Sequence, residues 1–138
     1  MIKIADINDL GHVADMMMAM YKELMPNDAS DDILVYRDCV AEALDSIKDT
    51  IYVHEHGFFQ MRDESEPMIP NKERYNGVRV YIEPQHRRGR LLANFYKRLF
   101  EDYPTGDILG MTESNSDHIE VLNKRHTEVA RIYILERS

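Results

Sequence analysis

One segment, residues 77–100, constrains the fold of this chain more than any other part of the sequence. A β-branched run ends at Ile82, and a proline at position 84 opens a basic loop that leads into an amphipathic pattern after Gly89. The run predicts a strand, and the apolar spacing after it predicts a helix that stops before Pro104. A strand, loop and helix in this order predict a right-handed parallel crossover to the next strand.

The loop in this segment has the character of an anion-binding site. Backbone N–H groups at the start of a helix have no partner within the helix, and the helix dipole adds positive potential there. Arg87, Arg88, Arg90 and His86 add to that preference. The loop therefore predicts an anionic ligand such as a phosphate, the alternative being a solvated basic surface.

Charge is unevenly distributed along the 138 residues. The net charge is −8, yet residues 85–99 carry five arginines or lysines and no acid, so the remainder of the chain carries −13. An acidic protein with one basic patch is a poor general binder of nucleic acid and is suited to a small anion. The length is typical of one domain spanning residues 1–138.

Composition also indicates the compartment. No apolar run reaches the length of a membrane span, and the first residues lack the apolar segment of a signal peptide. Cys39 is the one cysteine, which excludes an intrachain disulfide and fits a reducing interior. We therefore expect a cytoplasmic protein with no membrane partner.

Hydrophobic periodicity predicts the remaining elements. The helices are expected from Asp6 to a break at residues 25–28, from a Ser30 cap through a stripe ending at Ile47, and briefly at residues 117–125. The other strands are expected at residues 2–5, 50–54, 58–61, 107–112 and 129–135, with a long polar loop at 63–76. The predicted fold class is α/β: a mixed, mostly antiparallel sheet with helices on both faces, in the order β-α-α-β-β-β-α-β-α-β.

This order, with a strand, proline, basic loop and helix at its centre, resembles the GNAT superfamily of acyl-coenzyme A-dependent N-acetyltransferases. The family pattern is a strand ending in an apolar residue, any residue and Pro, followed by Arg/Gln-x-x-Gly-x-Gly/Ala. Ile82, Glu83 and Pro84 match the first part, and Arg87 matches the Arg/Gln position.

The chain departs from the family pattern at the glycines. With Arg87 aligned, the two glycine positions hold Arg90 and Leu92, whereas a shifted frame places Gly89 on the first glycine. The family's tyrosine acid would fall on Leu122. This compact, glycine-poor form resembles phage-encoded members, for which the host cytoplasm or the virion would be the location.

The resemblance implies acetyl-CoA as co-substrate and no metal. It places the backbone of Tyr81 and Ile82 against the pantetheine and thioester, and Asn115 as a positioning residue. The pyrophosphate would lie against the amides of five consecutive residues: Arg87, Arg88, Gly89, Arg90 and Leu91.

Acetyl transfer to an amine also needs a base and a donor to the oxyanion. Glu83 is the carboxylate nearest the implied site in sequence, and Tyr133 and His118 are further acid or base candidates. The acceptor is an amine on a small molecule or a protein. The missing glycines also fit a catalytically silent GNAT-fold protein that binds a protein partner or a second copy of itself, or is associated with a virion.

Two other patterns have structural interpretations. Met16, Met17, Met18 and Met20 predict core packing on the first helix. His54 and His56 share one face of a predicted strand, but without a third ligand nearby in sequence they are expected to be ordinary surface histidines rather than a metal site.

Overall fold

The computed structural model describes residues 1–69 and 73–110. Its strands are β1 (Lys3–Ile4), β2 (Asp49–His54), β3 (Gly57–Asp63), β4 (Arg74–Ile82) and β5 (Asp107–Gly110). They form one sheet in the order β1-β2-β3-β4-β5, antiparallel from β1 to β4 and parallel between β4 and β5. The mixed, mostly antiparallel sheet predicted from the sequence is confirmed.

Three α-helices accompany the sheet: α1 (Leu10–Leu24), α2 (Ile33–Asp45) and α3 (Leu91–Asp102). A single 3₁₀ turn precedes α1, and a second one, Pro84–His86, follows β4. None of the helices in the described part of the chain combines the length and the apolar character needed to cross a bilayer.

The sheet is buried on both faces at its centre. Along β2, Ile51 and Val53 belong to a core cluster that includes α1 and α2, whereas Tyr52 between them belongs to a second cluster with Phe95 and Leu99 of α3. Because side chains alternate between the faces of a strand, this division places α1 and α2 on one face and α3 on the other. Met16, Met17 and Met20 are buried in the first cluster, which confirms their predicted role in the core.

The turn between β2 and β3 brings two distant parts of the chain together. Gly57 pairs with Ile82 of β4, and a Cβ atom at Gly57 would lie 2.6 Å from the carbonyl oxygen of Tyr81. Only glycine allows the two backbones to approach this closely. The Glu83 N–H consequently donates to the carbonyl of His56 at 2.9 Å, so the end of β4 lies against the turn.

The predicted limits of α2 need correction, whereas α3 (Leu91–Asp102) ends before Pro104 as predicted. The N-cap of α2 is Asp32, whose carboxylate accepts the N–H of Leu34 at 3.0 Å, whereas Ser30 accepts the N–H of Asp32 in the preceding turn. Ile47 lies beyond the end of α2 and is fully exposed, so it does not continue the apolar stripe. Phe100 of α3 is also more than half exposed.

Strand β4 begins three residues earlier than predicted. Its first residues pair on both sides, Tyr75 with Asp63 of β3 and Arg74 with Asp107 of β5. Because of these pairings, the polar residues 74–76 belong to the strand. The predicted loop at residues 63–76 is therefore shorter than expected. The predicted helix at 117–125 and strand at 129–135 lie outside the described residues.

Candidate cofactor-binding site

The site is built on the junction between β4 and α3. Strand β4 ends at Ile82, Glu83 remains extended, and Pro84 begins the 3₁₀ turn that redirects the chain. Proline suits this position because its fixed φ favours a helical start and it has no N–H to leave unpaired. Arg90 is the N-cap of α3, which begins at Leu91.

Helix α3 begins with backbone N–H groups that have no partner in the described part of the chain. Its first backbone hydrogen bond runs from the N–H of Asn94 to the carbonyl of Arg90 at 2.8 Å. The N–H groups of Leu91, Leu92 and Ala93 donate to no acceptor among residues 1–69 and 73–110, and Arg90 provides no side-chain cap. Such a helix start attracts an anion through its N–H groups and through the helix dipole.

Three exposed residues surround these donors. Arg88 and Arg90 are exposed and form no ion pair or side-chain hydrogen bond with the described residues, so their charges are available to a ligand. Between them, Gly89 is open: among the described residues, a Cβ atom there would meet only the carbonyl oxygen of His86, at 3.4 Å. The fold itself therefore tolerates a side chain at Gly89, and the glycine leaves space above the loop.

Arg87 differs from its two arginine neighbours because it is bound within the protein. Its two terminal nitrogens donate to the two carboxylate oxygens of Glu23, each at 2.5 Å, and its Nε donates to the carbonyl of Ile82 at 2.9 Å. The guanidinium also lies 5.7 Å from the centre of the Tyr81 ring. The Arg87 side chain thus links the loop to the C-terminal end of α1. It is largely buried, whereas Arg88 is exposed.

Tyr81 and Ile82 are held inside the protein by their side chains. Tyr81 is buried in the α1–α2 core and Ile82 in the α3 core. Burial raises the pKa of the Tyr81 phenol, and nearby Glu23 acts in the same direction, so this group stays protonated at neutral pH.

On the edge of β4 that faces β5, pairing ends at Gly77 and Gly110 in the described residues. Within that part of the chain, residues 78–82 of β4 therefore have no strand beside them on the β5 side.

Glu83 lies at the end of β4 in a polar cluster. Its Oε2 atom is 3.1 Å from Nδ1 of His56 and accepts a hydrogen bond from Nε2 of Gln85 at 3.2 Å. The ring of His86 stacks on that of His56, with centroids 3.8 Å apart and an interplanar angle of 12°. The Glu83 side chain is 28% exposed, so its carboxylate is both fixed and accessible to water.

The structure brings eight of the eleven predicted site residues to this junction, from Tyr81 to Leu91. The other three, Asn115, His118 and Tyr133, lie outside the described residues. Two partners were missed from the sequence, Glu23 and His56, which are 64 and 27 residues from Arg87 and Glu83. Nothing in the sequence around these two residues marks them as partners of the site. The contacts become visible only when α1 and the β2–β3 turn are packed against the junction.

Comparisons with known proteins address the fold. No protein-family model matches the sequence, and no curated protein sequence matches it. Among solved structures, a possible acetyltransferase from Clostridium difficile 630 aligns over 100% of this chain and 97% of its own, with a TM-score of 0.71 and 16% identity. A GCN5-related N-acetyltransferase from Ralstonia eutropha JMP134 aligns over 99% of this chain and 97% of its own, with a TM-score of 0.67 and 15% identity.

A third structure was solved with a cofactor analogue. AAC(6')-Iy, in complex with the bisubstrate analogue CoA-S-monomethyl-acetylneamine, aligns over 100% of this chain and 97% of its own, with a TM-score of 0.69 and 12% identity. Likeness at such low identity establishes the architecture and leaves the chemistry to be argued from the residues. This chain has the fold of the GCN5-related N-acetyltransferases, the GNAT superfamily.

Proposed function

We propose that this protein is an N-acetyltransferase that transfers the acetyl group of acetyl-CoA to an amine. The observation that carries the proposal is the start of α3, where the N–H groups of residues 91–93 have no acceptor in the described chain and lie beside exposed arginines. A diphosphate needs this combination of convergent N–H donors and mobile positive charge. AAC(6')-Iy, which shares the fold, was solved with an analogue that contains CoA.

In this proposal the cofactor follows β4 and ends at α3. The pantetheine would lie along the edge of residues 78–82 that no described strand covers, reaching the backbone of Tyr81 and Ile82. The diphosphate would lie over Gly89, against the amides of Arg88, Arg90 and Leu91. The backbone of Arg87 would face the diphosphate, while its guanidinium, bound to Glu23, would keep the loop in place. Asn115 remains a proposed positioning residue.

Acetyl transfer would proceed by direct attack of the amine on the thioester. The acceptor ammonium loses one proton to the base, its nitrogen forms a bond with the carbonyl carbon, and the carbon–sulfur bond breaks while a second proton passes from the nitrogen to the sulfur, which releases CoA as a thiol. Glu83 is the base we propose, receiving the proton through water, because it is fixed by His56 and Gln85 and remains accessible. His118 and Tyr133 remain proposed acid or base groups. The acidic remainder of the chain favours a cationic acceptor.

A second candidate function is a GNAT-fold protein without catalysis, which would serve as an interaction or virion-associated component. It is favoured by two observations at the loop: the Arg87 guanidinium is already bound to Glu23, and Leu92, at a family glycine position, is buried in the α3 core. Both features would reduce the space and charge offered to a cofactor.

The test separates the two functions. The full chain is titrated with CoA by calorimetry, and release of CoA thiol from acetyl-CoA is then followed with a panel of primary amines. Saturable binding together with amine-dependent thiol release supports the acetyltransferase. Binding without thiol release, or absence of binding at millimolar CoA, overturns the acetyltransferase and supports the protein without catalysis.

A further inference from the structure

We propose that His56, Glu83 and His86 form a binding site for a zinc-class divalent cation, a use of this corner that is distinct from acetyl transfer. Each residue offers one ligand atom, and the three atoms lie within 4.8 Å of one another. Two imidazoles and one carboxylate are a ligand set that Zn²⁺ accepts, with water completing the tetrahedron.

The distances are close to those that an ion requires. Ligand atoms around a tetrahedral Zn²⁺, each about 2.1 Å from the metal, are separated by about 3.4 Å. The Nδ1 atom of His56 and Oε2 of Glu83 are already 3.1 Å apart. To bind one ion, the stacked His56 and His86 rings would turn about their side-chain torsions until a nitrogen atom of each faces the ion.

The backbones of the three residues are tied to one another. The N–H of Glu83 donates to the carbonyl of His56 at 2.9 Å, and the N–H of His86 donates to the carbonyl of Glu83 at 2.8 Å. Gly57, which must be glycine for β3 and β4 to approach, fixes His56 beside the end of β4. A ligand set held in this way loses little conformational entropy when the ion binds.

The surroundings also favour a cation. A carboxylate oxygen of Glu55 lies 3.8 Å from Nε2 of His56, and Gln85 donates to Glu83, which orients the carboxylate. The His56 and His86 rings stack face to face with centroids 3.8 Å apart, which places the two imidazoles side by side at this corner. The backbone N–H of His56 donates to Nδ1 of His54 at 3.1 Å, and this hydrogen bond helps to fix the position of His56.

An ion at this position would occupy the carboxylate that the proposed acetyl transfer uses as its base. The two uses of Glu83 therefore exclude each other, and the cation site is tested by binding rather than by activity. It also joins the β2–β3 turn to the segment that enters the basic loop.

The experiment measures Zn²⁺ binding to the full chain by competition with a chromophoric chelator, with the visible absorption of Co²⁺ as a second readout. One ion per chain is expected, with affinity falling on acidification because protons compete for the imidazoles. His56→Gln, Glu83→Gln and His86→Gln should each weaken binding at least about tenfold. His12→Gln is the matched control, because His12 contacts the backbone of His54 at the same corner without belonging to the set.

The contradicting results are equally specific. The proposal fails if Zn²⁺ does not bind in a saturable 1:1 manner, or if His86→Gln binds as tightly as the parent chain. It also fails if the double variant His118→Gln/His126→Gln abolishes binding, since the ligands would then lie elsewhere. His86 is in a 3₁₀ turn, outside the strands and α-helices, so His86→Gln keeps the test decisive even if a variant of His56 does not fold.

Discussion

Gly89 separates the requirements of the fold from those of a ligand. Its φ is not positive, and a Cβ atom there would be in ordinary contact with a single carbonyl oxygen. Nothing in the described structure requires glycine at this position, in contrast to Gly57, where a Cβ atom would overlap the Tyr81 carbonyl. Under the proposed function, glycine at position 89 allows the close approach of the cofactor to the loop.

Replacing Gly89 with alanine tests this argument at the residue scale. We expect Gly89→Ala to leave the free energy of unfolding unchanged or to raise it by up to about 1 kcal/mol, because the unfolded chain loses freedom. We expect the affinity for CoA to fall about tenfold, or about 1.4 kcal/mol, because the methyl group occupies the space above the amides. Chemical denaturation and calorimetric titration measure the two effects.

Gly11→Ala is the control for that variant. Gly11 is in α1, away from the loop, and a Cβ atom there would meet only the end of the Arg37 side chain at 3.9 Å. This variant should be at least as stable as the parent chain and should bind CoA equally well. Equal CoA affinity in Gly89→Ala and Gly11→Ala would show that no ligand approaches the loop at Gly89.

At the scale of elements, α1 and the loop before α3 are joined by the pair of Arg87 and Glu23. The pair is bidentate, which distinguishes it from an ordinary surface ion pair, although the Glu23 side chain is 44% exposed and that of Arg87 17%. The loop thus depends on a helix that lies more than sixty residues earlier in the chain.

Arg87→Gln should therefore lower the free energy of unfolding by about 1–2 kcal/mol, the scale of a hydrogen bond to a charged group. Glu23→Gln should have a similar effect, and the double variant should lose little more than either single one. Urea denaturation of the three variants gives the coupling free energy. Strictly additive losses would mean that the two side chains do not act as a pair.

The limits of the elements show what periodicity can predict. Apolar spacing predicted α1, α3 and strands β2 to β4 because a buried face imposes its period on the sequence. It placed the start of α2 at Ser30 instead of Asp32, since both residues can cap and only the backbone geometry selects one. It also missed the first residues of β4, where pairing with β3 and β5 overrides a polar sequence.

The candidate site was predictable only in its local part. The strand, proline, basic loop and helix are adjacent in sequence, so their juxtaposition could be inferred from the resemblance and the loop chemistry. The contacts of Arg87 with Glu23 and of Glu83 with His56 depend on helix packing and strand register, which a single sequence does not specify. The sequence therefore predicted an ordinary surface histidine at position 56, whereas the fold places Glu83 and His86 beside it.

For the whole molecule, the central claim is that backbone donors at the start of α3 receive the diphosphate of a CoA thioester. The direct measurement is a titration of the isotope-labelled full chain with CoA, following each backbone amide by nuclear magnetic resonance. The account predicts that the largest shifts fall on the amides of residues 88–93, and that pantetheine, which lacks the diphosphate, leaves those amides unchanged. Binding that shifts amides elsewhere and leaves residues 88–93 unmoved would contradict it.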